Sequence, residues 1–363
     1  MRVGLELTGL ELDRGGLARY AQALAAELEE RLDVDLVRLA QPGLRRAGER
    51  GRLTRGLVRE LAYLPVLLPL QARRRGLTLL HCPMALAPLA PSVPTIITVP
   101  DVMTWHHPGW FSRANVLEQR VMLARAMRRA TVVITCSEFS RRQILDLFDL
   151  EPDRVQSIPL GIDHERFRPG PAPDGLLDRL GVARPYILTV GTMQPRKNLE
   201  SALHAFERLA SELPDHALVV AGARGWRDAS ILRRMAESAA AERIHFIGRI
   251  SDEDLVGLYR SADCFLFTSR YEGFGFPPLE AMACGAPVVS SDRTSLPEVV
   301  GEAAVLVDPD DIDGIERAVA KVLASPEERA ELSRRGRAQA SGFTWGRCAD
   351  QTVAAYRWAL EHG

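Results

Sequence analysis

Ser269-Arg-Tyr-Glu-Gly-Phe-Gly-Phe-Pro-Pro-Leu-Glu-Ala-Met-Ala-Cys-Gly285 decides how this 363-residue chain is read. It follows an apolar run at Cys264–Thr268, expected to be a strand, and opens an apolar segment expected to be a helix over Leu279–Ala283. Pro277 and Pro278 suit a first helical turn, where a missing N–H is harmless. Glu280 is then expected in that turn, near the positive end of the helix dipole. Gly273 and Gly275 let backbone amides come close to a ligand, and glycines ahead of a helix start make an anion site. Glu272 and Glu280 stand eight positions apart, one before and one within the helix start, and each can accept from vicinal hydroxyls. Amides for a phosphate and carboxylates for hydroxyls together describe a sugar diphosphate.

A second motif, Gly191-Thr-Met-Gln-Pro-Arg-Lys-Asn198, lies between a strand at Tyr186–Val190 and a helix at Leu199–Leu213. α/β domains handle phosphates at such turns. No Gly-Lys-Ser/Thr occurs in the chain, so this is not a Walker loop. The chain has two lysines, Lys197 and Lys321, against 44 arginines, which makes Lys197 beside Arg196 a pointed choice. A guanidinium fork and an ammonium point charge can together neutralise a diphosphate leaving group.

Around these motifs, short apolar runs alternate with helix-period segments from end to end, the pattern of parallel sheets covered by helices. Strands are expected at Val3–Leu7, Leu36–Leu39, Leu79–His81, Thr95–Val99, Thr131–Thr135 and Val155–Ile158, with helices at Leu17–Arg31, Val116–Arg129 and Ser140–Phe148. A linker composition follows at Ile158–Gly170, and the pattern restarts. Strands then fit Ala217–Ala221, Ile244–Ile247, Val288–Ser290 and Ala304–Val307, and helices fit Ala229–Ala240, Asp252–Arg260, Gly314–Ala324 and Gly346–His362. The fold class is therefore α/β, with two doubly wound parallel-sheet domains facing across a cleft. The expected divisions are residues 1–165, 166–343 and a closing helix, 344–363.

Net charge is −1, which speaks against bulk nucleic-acid binding. The five cysteines form no C-x-x-C pair, so neither a zinc site nor a disulfide framework is indicated, and a reducing cytoplasm is expected. Residues 1–7 read directly as a strand and not as a signal peptide. Residues 76–100 carry no Asp, Glu, Lys or Arg, yet Pro83, Pro88, Pro91 and Pro94 break any membrane-spanning helix there, and buried strands and turns are expected. Residues 42–75 hold nine arginines against Glu49 and Glu60. Arg45, Arg46, Arg50, Arg52, Arg55 and Arg59 interleave with Leu44, Leu53, Leu57 and Leu61, a basic amphipathic pattern that reads as peripheral contact with an anionic membrane at its inner face. A solvated helix packed on its own domain is the alternative. Asp33-Val-Asp35 and Asp308-Pro-Asp310 match a two-carboxylate metal pattern, but three residues carry no weight in a chain with 47 acids. Turn and cap duties explain the second, and no metal is expected.

The strings Tyr186–Glu200, Ser251–Glu280 and Leu296–Val299 resemble the retaining GT-B-fold glycosyltransferases of family 4, closest to a bacterial mannosyltransferase-like branch acting in polysaccharide assembly. Gly15-Gly-Leu-Ala-Arg-Tyr20 resembles that family's first glycine loop, and Ser137–Arg142 and Ile158–Asp163 its approach to the linker. The resemblance implies that Glu280 holds the nucleotide ribose and Glu272 the transferred sugar. It implies that amides around Phe274–Phe276 meet sugar and phosphate, that Arg196 and Lys197 take the diphosphate charge with Gly191 and Thr192 beside them, and that Ile250 lies by the nucleobase. Gly15 and Gly16 would approach the donor phosphate or the acceptor. It further implies a nucleotide-diphosphate sugar as donor substrate, no cofactor, no metal, and a glycan or lipid-linked acceptor. In one place the chain departs from the pattern. The branch reads Val-His-Asp after its fourth strand, whereas this chain reads Val99-Pro-Asp101. His81, Asp101 and His106 are then the candidates on the acceptor and sugar side, with a satisfied core histidine as the alternative for His81 and a surface pair for His106 and His107. An epimerase or hydrolase on the same scaffold and a non-catalytic partner subunit that binds nucleotide sugar are the competing functions.

Overall fold

The computed structural model describes residues 1–11, 15–40, 59–225 and 228–363. They divide into two compact units, one of Met1–Gly161 with Trp345–Gly363 and one of Ile162–Thr344. Each unit is built on a six-stranded, wholly parallel sheet.

The first sheet holds β1 (Arg2–Glu6), β2 (Asp35–Leu39), β3 (Leu79–Cys82), β4 (Thr95–Thr98), β5 (Val132–Thr135) and β6 (Val155–Ser157), ordered β2-β1-β3-β4-β5-β6. The central strands β3, β4 and β5 are buried at every position, as strands covered by helices on both faces must be. The charge-free stretch before Pro100 supplies β3 and β4. The helix Gly16–Glu29 turns Tyr20, Leu24 and Leu28 inward at four-residue spacing. Ser137 caps the helix Glu138–Leu147 by accepting from the Ser140 amide at 3.1 Å.

His81, on β3, takes the core alternative. It is fully buried, with Nδ1 2.7 Å from the Tyr356 hydroxyl and Nε2 2.9 Å from Thr98 Oγ1. Thr98 Oγ1 continues the chain to the Tyr20 hydroxyl at 3.1 Å. Burial pushes the imidazole pKa down to about 3, so the ring is neutral and pins β3, β4 and two helices together. Both nitrogens are spoken for, and the ring cannot meet an acceptor.

Two helical segments depart from what residue pattern alone suggests. Despite Pro65, the run Leu64–Leu70 is helical throughout: a wide-turned stretch, Arg59–Leu67, absorbs the proline and passes into the helix Leu68–Arg74. The basic stripe before it, Leu44 to Leu57, lies outside the described residues. The expected helix Val116–Arg129 begins earlier, at Arg113, capped by Ser112, and carries a wide turn at Gln119–Leu123.

The second sheet holds β7 (Tyr186–Val190), β8 (Ala217–Ala221), β9 (Ile244–Gly248), β10 (Cys264–Phe267), β11 (Val288–Ser291) and β12 (Val305–Val307), ordered β12-β11-β10-β7-β8-β9. Strand order reverses between β7 and β10, which pair in register at Cys264 with Ile187 and Phe265 with Leu188. A crevice for ligands is expected at the carboxyl ends of those two strands. The helix Pro326–Ser341 is not legible from apolar periodicity, because its buried positions are only Leu332, Gly336 and Ala340. Its end signals were present: Ser325 caps it by accepting from the Glu328 amide at 3.1 Å, and Pro326 occupies the first turn. It packs so closely on the helix Phe276–Cys284 that a Cβ at Gly336 would stand 3.2 Å from Met282 Cγ.

Candidate functional site

The loops that follow β7 and β10 carry the two sequence motifs, and the strand pairing brings them side by side. The Arg270 amide donates to the Arg196 carbonyl at 2.7 Å, and Thr268 Oγ1 donates to the Asn198 carbonyl at 2.9 Å. Asn198 turns the first loop into its helix with φ at +50° and is nearly fully buried. Its Nδ2 donates to the Pro309 carbonyl at 2.7 Å, so the amide side chain fixes a turn that leaves Arg196 and Lys197 pointing at the second loop. The turn after β8 closes under them. A Cβ at Gly222 (φ +150°) would fall 2.0 Å from the Gly191 carbonyl oxygen, so only glycine fits there.

Glu272 is where the loops meet. Its Oε1 accepts from Lys197 Nζ at 2.6 Å and from Ser269 Oγ at 2.6 Å, and its Oε2 lies 2.8 Å from Arg196 Nη1. The three charged side chains are between 11% and 22% exposed. Burial raises the Glu272 pKa, but the Arg196 and Lys197 charges and the bonds from Lys197 and Ser269 outweigh it and hold the carboxyl below the usual range. Burial, then repulsion by Arg196, lowers the Lys197 ammonium, with Glu272 opposing both. The ammonium also stands 4.9 Å from the centroid of the Phe267 ring, which favours its charged form. The cavity behind Lys197, lined in part by Gly191, Met193, Val220 and Phe267, is about 10 Å³, room for one water at most.

The backbone of the second loop is pinned from the helix Leu296–Val300. Buried Ser295 donates to the carbonyls of Glu272 at 2.9 Å and Phe274 at 2.6 Å, and Thr294 Oγ1 accepts from the Glu272 amide at 3.1 Å. Gly275, with φ at +134°, begins the helix Phe276–Cys284, and a Cβ there would stand 2.8 Å from Leu296 Cδ2. This helix starts three residues before the expected Leu279. Glu280 thus lies in the second turn, not the first, because the two prolines and Phe276 already fill the first turn. The helix dipole is weaker there. What orients Glu280 is burial, to 2% exposure, and the Tyr259 hydroxyl, which donates to its Oε2 at 3.2 Å.

The structure thus gathers Gly191, Thr192, Arg196, Lys197, Glu272, Gly273, Phe274, Gly275, Phe276 and Glu280 around the β7–β10 switch point. Ile250 follows β9, half-buried, immediately before Ser251, which caps the next helix by accepting from the Asp254 amide at 3.0 Å. Gly15, Gly16, Asp101 and His106 belong to the other unit. Gly15 is exposed at the start of the helix Gly16–Glu29. Asp101 Oδ1 accepts from the Met103 amide at 2.9 Å, His106 is exposed, and His107 stacks on Trp110 with ring centroids 4.0 Å apart. Pro100 is anchored by its carbonyl, which accepts from Thr135 Oγ1 at 3.3 Å and Cys136 Sγ at 3.2 Å. Tyr259, Phe267, Ser269 and Ser295 were not singled out from sequence. Tyr259, Phe267 and Ser295 act on partners at least 21 residues away along the chain, whereas Ser269 reaches Glu272 within its own loop.

Asp308 pairs with Arg293 at 2.6 Å and accepts from the Asp310 amide at 3.0 Å, the turn duty expected of it. Among the described residues no group of three His, Cys, Asp or Glu side chains comes together to hold a metal ion, and no helix is long and apolar enough to cross a membrane. All five cysteines are buried and unbridged.

Known proteins are similar to this chain in sequence and in fold. Residues 179–339 match the family described as Glycosyl transferases group 1, and residues 14–166 match Glycosyltransferase Family 4. The O-antigen chain mannosyltransferase B of Escherichia coli is 37% identical over 266 residues, covering 72% of this chain and 70% of that protein. Sucrose-phosphate synthase from Thermosynechococcus elongatus superposes with a TM-score of 0.77 at 21% identity, covering 100% of both chains. Anabaena Alr3699/HepE, solved in complex with UDP-glucose, gives 0.76 at 19% identity, covering 98% of this chain and 99% of its own. At those identities the two structures speak for the fold alone.

Proposed function

The chain belongs to the family 4, group 1 glycosyltransferases, and from that premise we propose that it moves a hexose from a nucleoside-diphosphate sugar to a glycan or lipid-linked acceptor with retention of anomeric configuration. The observation that carries the proposal is the partly buried cluster of Arg196, Lys197 and Glu272 at the β7–β10 switch point. Two cations fixed beside a glycine-led helix start can bind a diphosphate and stabilise it as it leaves. In this reading Glu280 takes the ribose hydroxyls, and Glu272 takes the sugar hydroxyls in the donor-bound site. The acceptor oxygen attacks from the face the diphosphate leaves, and the departing phosphate oxygen takes its proton. The charge is met by protein cations, so no metal is called for. The likeness to a mannosyltransferase makes mannose the first sugar to test.

Incubation with nucleotide-activated hexoses and a glycan acceptor, followed by NMR of the product, is expected to show a new bond of the donor's own anomeric configuration, formed equally well with chelator present. An inverted product, or activity abolished by chelator, would sink the mechanism. Nucleotide binding without transfer to any acceptor would favour the non-catalytic subunit, for which Pro100 is the one hint.

The acceptor-side unit supports a membrane-adjacent acceptor. Val66, Leu67 and Leu70 are 52%, 44% and 44% exposed on the helical segment that ends in the exposed Arg73, Arg74 and Arg75. Apolar side chains beside clustered guanidiniums suit an anionic lipid surface, each arginine adding roughly 1 kcal/mol at low salt. Co-sedimentation with anionic vesicles is expected at low salt and to be lost at high salt. No binding at low salt would remove the membrane from the reading, and binding indifferent to lipid charge would remove the role of the arginines.

A further inference from the structure

We infer that Glu272 is an internal competitor for the donor diphosphate: its carboxylate already engages both cations proposed to bind that group, and the diphosphate must displace it. The inference rests on the donor reading above and extends it to the order of events within the site. Three donors converge on this one carboxylate, at 2.6, 2.6 and 2.8 Å, and two of them are Arg196 and Lys197. A carboxylate so engaged has little capacity left for sugar hydroxyls. The backbone of Glu272 is held at both its amide and its carbonyl by Thr294 and Ser295, so the loop itself stays in place. The exchange is therefore confined to the side chain, turning about its own torsions.

The charges say which anion can drive the exchange. Arg196, Lys197 and Glu272 together carry one net positive charge. An incoming group with a single negative charge replaces like with like and gains little. A diphosphate brings at least two charges and several acceptor oxygens, enough to engage both cations at once. Once the diphosphate holds them, the Glu272 carboxylate is released with its acceptor capacity restored, next to where the sugar must lie. Phosphate recognition thus comes first and makes sugar recognition available, which ties the two halves of the donor together.

The test compares wild type with Glu272→Gln, which keeps the shape and removes the charge, and with Ser269→Ala, which keeps the charge and loosens it. Binding of inorganic pyrophosphate, of a nucleoside diphosphate and of its hexose derivative is measured by calorimetry, with melting curves as the check on folding. Glu272→Gln is expected to bind pyrophosphate and the nucleoside diphosphate at least about tenfold tighter than wild type. The attached hexose, left with a neutral amide acceptor in place of a carboxylate, is expected to add less affinity in that variant than in wild type. Ser269→Ala is expected to move diphosphate affinity the same way by a few-fold. If diphosphate binds but neither variant tightens it, the exchange is overturned and the donor reading stands. If neither pyrophosphate nor any nucleoside diphosphate binds wild type or variants, both fall together.

Discussion

Replacing Lys197 by alanine is expected to lower kcat about a hundredfold or more, in line with the loss of other preorganised charges at sites of developing charge. The Lys197 side chain is 12% exposed, and its ammonium is set 4.9 Å from the centroid of the Phe267 ring. A charge held in place by the fold does not have to reorganise when the glycosidic bond breaks and the diphosphate takes up the electrons. Its contribution is greatest in the transition state, so kcat should fall more than KM rises. Steady-state kinetics at saturating donor check this, with Lys197→Arg to separate charge from geometry. Arginine keeps the charge but brings a planar fork where a compact ammonium sits over the ring, and only partial recovery is expected. Near-normal kcat in a folded Lys197→Ala protein would reduce Lys197 to a structural counter-ion.

Glu280→Ala is expected to weaken nucleotide binding by about 1.5–3 kcal/mol, roughly 10- to 150-fold, through loss of a charged acceptor for the ribose hydroxyls. The carboxylate is 2% exposed, and its Oε2 is oriented by the Tyr259 hydroxyl from the helix Asp252–Ser261. Calorimetric titration with a nucleoside diphosphate measures the effect, and melting curves show whether the buried site has collapsed. Tyr259→Phe should lose a smaller part of the affinity, because it removes only the orienting bond. Unchanged affinity in a folded Glu280→Ala protein would show that this carboxylate serves the helix and not the ligand.

The two predictions rest on residues with different histories. Lys197 stood out from composition alone, as one of two lysines among 44 arginines, at a strand–helix turn. Glu280 stands out from its motif, but its expected place in the first helical turn is not the one it takes. The helix starts at Phe276, so its dipole is not what holds the carboxylate; Tyr259 and burial do that. His81 was legible as a residue at a strand end, yet its direction was not. Only the packing of Tyr356 and Thr98 against both ring nitrogens makes it a core residue.

By itself the sequence determined the α/β class, the twelve strands and the two motifs, because those depend on short-range patterning. Apolar runs of four or five residues make buried strands, and glycine and proline punctuate the turns between them. The helix Pro326–Ser341 escaped because its inward face is mostly glycine and alanine, which bury well but leave no apolar period. Tertiary structure alone decided that β7 and β10 lie side by side, since strand order is a long-range property that no local pattern encodes. That adjacency brings Arg196 and Lys197 onto Glu272, some 75 residues away along the chain. It turns two separate motifs into one charged cluster, because an ion pair requires proximity in space and nothing in the spacing of either motif specifies the other.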